Sequence, residues 1–272
     1  MKKLLALLLA LMLACSCLAL TACGADDDGD GENHNAVTVS RSFVAGYSKS
    51  VVMGETTMEM NGRVLMNLMS DGTLELYIGF IGMGSHQTAK YTGTYTLGTN
   101  AEFDETITFT YKYGEGEGES ATVTDAVILD GNFATPFYMI TSMTSAPIDF
   151  YETAPADVSG NVYVGFLQKE GGKGKMTYTY ALSLKDDGTF NVSIMQMAPA
   201  MSMHVWGATS GTYVADGENI TFTYDVMSDE GEVVAEDFVT EGTGFTATEL
   251  SAGFNISQAS MKASAAAFIK VK

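Results

Sequence analysis

Methionine and histidine side chains are concentrated in one stretch of the chain, in the pattern Met-x-Met-x-x-x-Met-x-Met-His. The residues of this pattern are Met195, Met197, Met201, Met203 and His204. A sparser counterpart, Met83 and His86, lies 118 residues before Met201 and His204. Thioether sulfur together with imidazole nitrogen is a ligand set that suits Cu(I). A copper-binding surface protein is therefore one function that the sequence allows.

Methionine also has a purely structural use, because its flexible side chain fills irregular apolar space inside a protein. The chain contains 17 methionines, and they are spread over most of its length. Packing in a core therefore explains the same residues without a metal. On this interpretation no cofactor is expected, and both interpretations stay open at this point.

Two segments resemble motifs for catalysis or phosphate binding, but neither matches its motif. The segment Gly82-Met83-Gly84-Ser85-His86 lacks the Gly-x-Ser-x-Gly spacing of a nucleophile elbow. The segment Gly171-Gly172-Lys173-Gly174-Lys175-Met176 has Met where a phosphate-binding loop requires Ser or Thr. We therefore predict that the protein is not an enzyme.

The N-terminus has the layout of a secretory signal: Lys2 and Lys3 precede an uncharged apolar run over residues 4–20. The run ends in Leu20-Thr21-Ala22-Cys23-Gly24, which resembles the lipobox of bacterial lipoproteins. The resemblance implies a signal peptide over 1–22, a diacylglyceryl group on Cys23, and a lipid anchor on the extracytoplasmic face of a cell membrane. An ordinary cleaved signal peptide with a chance cysteine is the alternative. The mature chain would keep no other cysteine, so it has no disulfide.

Residues 23–36 are acidic and rich in glycine, which predicts a solvated tether behind the lipidated cysteine. The whole chain has a net charge of −19. Nucleic acids are recognised mainly through basic surfaces, so a chain this acidic is not expected to bind them.

Alternation of apolar and polar residues dominates the rest of the chain and predicts antiparallel β-structure. In the segment 176–184 every second residue is large and apolar. Dipeptides that favour tight hairpin turns separate such runs. These dipeptides are Asn61-Gly62, Asp71-Gly72, Asp130-Gly131, Asp187-Gly188 and Asp216-Gly217. The predicted fold class is all-β.

Three short motifs occur twice in the same order, which indicates an internal duplication. The sequence Ile-Thr-Phe-Thr-Tyr stands at 107–111 and again at 220–224, and Gly-Thr-Tyr stands at 93–95 and 211–213. The Asp-Gly-Thr of 71–73 returns at 187–189. We predict a first repeat over 37–150, a linker over 151–160 and a second repeat over 161–272.

The order of these motifs resembles the lipocalin-like or calycin-like β-meander domains of bacterial surface lipoproteins. The resemblance implies two tandem antiparallel up-and-down β-barrels, one from each repeat; a single larger barrel or sandwich is the alternative. It also implies a non-enzymatic binding module for a small, apolar ligand, with inward side chains such as Met176, Tyr178, Tyr180 and Phe222 facing the interior. A structural or protein-interaction module of the cell envelope, with filled barrels, is the second expectation.

Overall fold

Sixteen β-strands make up most of the described backbone in a computed structural model of the chain. The structure describes residues 36–53, 56–82, 84–113, 119–137, 147–171, 174–199, 203–227, 232–255 and 264–272. The predicted signal peptide, Cys23 and nearly all of the predicted tether lie outside this range. Within it, no helix has the length and apolar character needed to cross a membrane.

The first repeat contributes eight strands. They are β1 (Val39–Met53), β2 (Thr56–Met69), β3 (Thr73–Gly82), β4 (Ser85–Gly98), β5 (Thr106–Tyr113), β6 (Glu119–Val127), β7 (Asn132–Pro136) and β8 (Pro147–Thr153). The second repeat contributes another eight. They are β9 (Asn161–Gly171), β10 (Gly174–Leu184), β11 (Thr189–Ala198), β12 (Met203–Asp216), β13 (Asn219–Met227), β14 (Val233–Gly242), β15 (Glu249–Ala252) and β16 (Ala266–Lys270).

Each repeat forms one antiparallel sheet with the same strand order. The orders are β6-β5-β4-β3-β2-β1-β8-β7 and β14-β13-β12-β11-β10-β9-β16-β15. The all-β fold of two tandem barrel repeats is thus confirmed. The last strand of each repeat pairs with the first, so the two sheet edges are the sixth and seventh strands of the repeat. When a sheet of this order curves into a barrel, its two edge strands face each other, and we call the boundary between them the seam.

Four of the five predicted turn dipeptides connect strands. Gly72, Gly131, Gly188 and Gly217 all have positive φ, between 58° and 84°, a conformation that glycine adopts at low cost. The prediction at Asn61-Gly62 is wrong, since both residues lie inside β2. Gly62 pairs with Tyr47 of β1 on one side and with Phe80 of β3 on the other, so it lies within continuous strand pairing.

Packed aromatic and aliphatic side chains fill the inner face of each sheet. In the first repeat Phe133 stacks on Phe150 with ring centroids 4.9 Å apart. In the second, Phe254 contacts Phe222 at the same centroid distance. Tyr178, Tyr180, Phe222 and Met176 all belong to or pack on this second core, as their spacing predicts.

A third apolar cluster joins the outer faces of the two sheets. It contains Val44 and Leu65 from the first repeat and Val162 and Val164 from the second. Arg63 lies beside it with 7% of its surface exposed, and its guanidinium carbon is 5.9 Å from the centroid of the Phe166 ring. Burial lowers the pKa of Arg63 to about 10, since no carboxylate faces it among the described residues.

The segment predicted as a linker, 151–160, is part of this junction. Its first three residues belong to β8. Ala156 is buried, and its backbone N–H donates to Ser42 Oγ at 2.8 Å. Ser193 Oγ of the second repeat donates to the carbonyl oxygen of Pro155 at 2.9 Å. The segment therefore contacts both repeats, and residues 37–272 form one compact unit.

Candidate functional site

The seam of the first repeat holds a cavity of about 570 Å³ between β6 and β7. Its described walls come from β5, β6 and β7, and among the described lining residues none has a charged side chain. They are Tyr113, Ser120, Ala121, Thr122, Val123, Thr124, Ala126, Ala134, Thr135 and Pro136. Cavities of a few hundred to about a thousand Å³ are typical of small-molecule sites.

β6 contains a bulge beside the seam. Asp125 has a φ of 47°, and the register between β5 and β6 shifts beside it. Its backbone N–H donates to Thr108 Oγ1 at 2.9 Å, whereas a regular strand residue would donate to a backbone carbonyl oxygen of the neighbouring strand. The second repeat also has a bulge in the strand before its seam, at Asp237 of β14 with a φ of 49°. A bulge bends a strand and ends regular pairing. Among the described residues no hydrogen-bonded ladder joins β6 to β7.

On the other side of the seam, β7 ends at Pro136, which has no N–H to donate and therefore suits an unpaired edge. Ala121 and Thr135 also line the cavity, and both are buried. The cavity thus extends from the surface to the packed interior. Its hydroxyl groups and small apolar side chains can contact an uncharged molecule through van der Waals contacts and a few hydrogen bonds.

The second repeat closes its seam at the matching place. Thr243, directly after β14, forms a bridge with Ser251 of β15 through two backbone hydrogen bonds of 2.9 and 2.8 Å. In the first repeat the corresponding residues, Val127 and Ala134, form no such bridge. At this place the seam is therefore bridged in the second repeat and unbridged in the first, although both have the same strand order.

The predicted copper ligands are brought together only in part. Met197 of β11 pairs with His204 of β12, and Met195 lies two residues along the same face of β11. Met203 lies on β12, but its side chain is outside the described part, as are Met83 and Met201. His86 lies elsewhere, on β4, with Nε2 2.8 Å from the carbonyl oxygen of Lys270.

No group of three or more His, Cys, Asp or Glu side chains that could hold a metal occurs among the described residues. Sequence reasoning also missed one neighbour of the Met–His pair: Trp206, which pairs with Met195 across the strands. The sequence signal for Trp206 is the pattern His-x-Trp on one strand opposite the pattern Met-x-Met on the neighbouring strand. That pattern is interpretable only once the hairpin register is known.

The chain matches no family model, no curated protein and no solved structure. The resemblance to lipocalin-like lipoproteins therefore stays a prediction.

Proposed function

We propose that this protein is a lipid-anchored, non-enzymatic binding module on the extracytoplasmic face of a cell membrane. Its ligand is a small, uncharged, largely apolar molecule. The binding place is the seam between β6 and β7 rather than the barrel centre, since packed rings fill both interiors. The observation that carries the proposal is the cavity of about 570 Å³, which is open to solvent, reaches the core and has no charged side chain among its described lining residues. The lipobox at Leu20–Gly24 supports the anchor.

The test begins with cell envelopes that contain the full-length chain. We expect the wild type in the membrane fraction and the Cys23→Ala variant in the soluble fraction. Both are then incubated with a membrane lipid extract, repurified and analysed by native mass spectrometry. The wild-type chain should retain a small molecule at about one per chain.

Ala134 is an exposed residue of β7 that lines the cavity, so Ala134→Trp places an indole in the seam. This variant should retain about tenfold less of the small molecule, or less still, because the indole occupies the site. Ala215→Trp, on an exposed end of β12, is the matched control and should retain the molecule. Equal retention by the two variants, or none by the wild type, would contradict a seam site.

A second function is favoured by a different observation. Both interiors are filled, and the outer face of the second repeat exposes Trp206, Val214 and Val239 by more than half of their surface. An envelope protein that binds a partner through this face would need no internal ligand. Retention of no small molecule, together with a cross-link from position 214 to an envelope protein, would support this second function over the first.

A further inference from the structure

Two cross-strand pairs stand side by side on the outer face of the β11–β12 hairpin. Met195 faces Trp206, and Met197 faces His204. Residues directly opposite each other in an antiparallel pair have Cβ atoms about 4.5–5.5 Å apart and project to the same side of the sheet. Residues two apart on one strand also share a face. Two thioethers, one imidazole and one indole therefore form a single group.

The chemistry of this group is that of a site for a soft monovalent cation. Thioether and imidazole ligands suit Cu(I). The indole of Trp206 can add a cation–π contact, for which tryptophan is the best of the aromatic side chains. None of the four side chains is a carboxylate, which a hard divalent cation would require.

The four side chains differ in exposure, so the group has a buried side and a solvent-exposed side. Met195 is fully buried and Met197 is half-buried, whereas His204 is exposed and Trp206 is 52% exposed. A cation arriving from solvent would therefore meet the imidazole and the indole first. The thioethers would then bind it from the protein side, where water is excluded.

Neighbouring residues hold the group in place. Asn132 Nδ2 donates to Met197 Sδ at 3.2 Å, which fixes the thioether. A Cβ on Gly131 would lie 3.2 Å from His204 Cε1 and 3.2 Å from Glu152 Oε2, so the Asp130-Gly131 turn lies against the imidazole. The Glu152 carboxylate is already bonded to Arg41 by two hydrogen bonds of 2.7 Å.

We propose that Met195, Met197, His204 and Trp206 form a binding site for Cu(I), with the thioethers and the imidazole as ligands and the indole as a cation–π cover. The site is separate from the seam and does not depend on the proposed ligand of the seam.

Trp206 provides the readout, since it is the one tryptophan of the chain. Ag(I), a soft monovalent cation that is stable in air, is titrated into the full-length protein while tryptophan fluorescence is recorded, after alkylation of the cysteine thiols, which would otherwise bind Ag(I) first. We expect a saturable decrease in fluorescence at one Ag(I) per chain. Cu(I), supplied with a chromophoric chelator as competitor, should compete for the same site.

His204→Gln changes an exposed side chain and should weaken binding about tenfold or more, since even the outer partners of metal ligands contribute 10–100-fold. The double variant Met195→Leu, Met197→Leu keeps the apolar volume and should weaken it further. His86→Gln, at the equivalent position of the first repeat, is the control and should bind as the wild type does. Circular dichroism checks that each variant is folded. No saturable change in the wild type, or equal affinity in wild type and His204→Gln, would overturn the site.

Discussion

The two repeats carry a histidine at the same register position, but the surroundings of the two side chains differ. His86 faces Ile81 and His204 faces Met197 in the equivalent hairpins. The next pair is Gly79 with Thr88 in the first repeat and Met195 with Trp206 in the second. Duplication thus copied the scaffold and one imidazole, whereas the thioethers and the indole belong to one copy.

Packing of one repeat on the other explains why the first copy has no equivalent group. A Cβ on Gly79 would lie 2.1 Å from the carbonyl oxygen of Lys270, which also bonds His86. The C-terminal strand of the second repeat therefore covers this face and leaves no room for a side chain at position 79. The equivalent strand of the first repeat, β8, packs on the corresponding hairpin of the second, but it leaves room for Met195, which is fully buried, while His204 and Trp206 stay exposed. The two copies thus pack through equivalent faces and differ in how closely the covering strand approaches.

The largest effect is expected where this contact is closest. Gly79 has a φ that any residue can adopt, so Gly79→Ala strains the packing rather than the backbone conformation. Its Cβ would meet backbone atoms of Lys270, which cannot rotate away as a side chain would. We expect a loss of about 3 kcal/mol in the free energy of unfolding, the upper part of the range for overpacked sites. Urea denaturation measures it.

The control is Gly98→Ala, at the end of β4, where the nearest atom to the new Cβ is Thr106 Oγ1 at 3.3 Å. Its effect should stay within about 0.5 kcal/mol, as for most surface substitutions. Equal urea midpoints for the two variants would mean that the second repeat does not press on Gly79 in solution.

A second difference between the repeats is electrostatic. Arg41 of the first repeat bonds Glu152 through two hydrogen bonds of 2.7 Å and also bonds Glu105. Burial alone would lower the pKa of Arg41, but its bonds to Glu152 and Glu105 raise that pKa above its ordinary value. At the equivalent positions of the second repeat, Lys270 donates to Asn161 at 2.7 Å, a single exposed hydrogen bond.

Arg41→Met would leave two carboxylates facing each other without a cation. We expect a loss of about 2 kcal/mol in the free energy of unfolding, below the roughly 3–5 kcal/mol for a fully buried pair, because solvent screens these groups. Asn161→Leu, the matched change in the second repeat, should cost less than about 0.5 kcal/mol. A similar loss in both variants, measured by chemical denaturation, would contradict this difference.

How much of this structure can be predicted from the sequence depends on whether the interactions that form it are local in the chain or join distant strands. Alternation and turn dipeptides are local, and they predicted the strands around Tyr178 and the turn at Asp187-Gly188. Asn61-Gly62 failed because Gly62 pairs with a neighbouring strand on each side. The seam cavity depends on where the pairing of neighbouring strands ends, which a single sequence does not reveal. Of the residues of the proposed copper site, the sequence named Met195, Met197 and His204, whereas Trp206 needed the register of the hairpin.

The smallest expected effect concerns the interior of the second repeat. Gln196 faces Tyr178 at the register position where the first repeat has Phe80 facing Gly62. The large aromatic side chain is Phe80 in the first repeat and Tyr178 in the second, so it stands on opposite strands of the two equivalent pairs. Gln196 is fully buried, and neither the nitrogen nor the oxygen of its amide has a hydrogen-bond partner in the described structure. A buried amide without partners costs about 1–3 kcal/mol. Gln196→Met keeps the length of the side chain and should therefore raise the free energy of unfolding by about 1 kcal/mol.

Gln87→Met, on an exposed position of β4, is the control for this change and should leave stability within about 0.5 kcal/mol of the wild type. Thermal and urea unfolding of the two variants provide the comparison. A loss of stability in Gln196→Met would mean that the amide has a bonding partner in solution. Gln196 and Phe80 would then hold equivalent positions but have different roles. The interior of the second repeat would contain a polar group that the first repeat lacks.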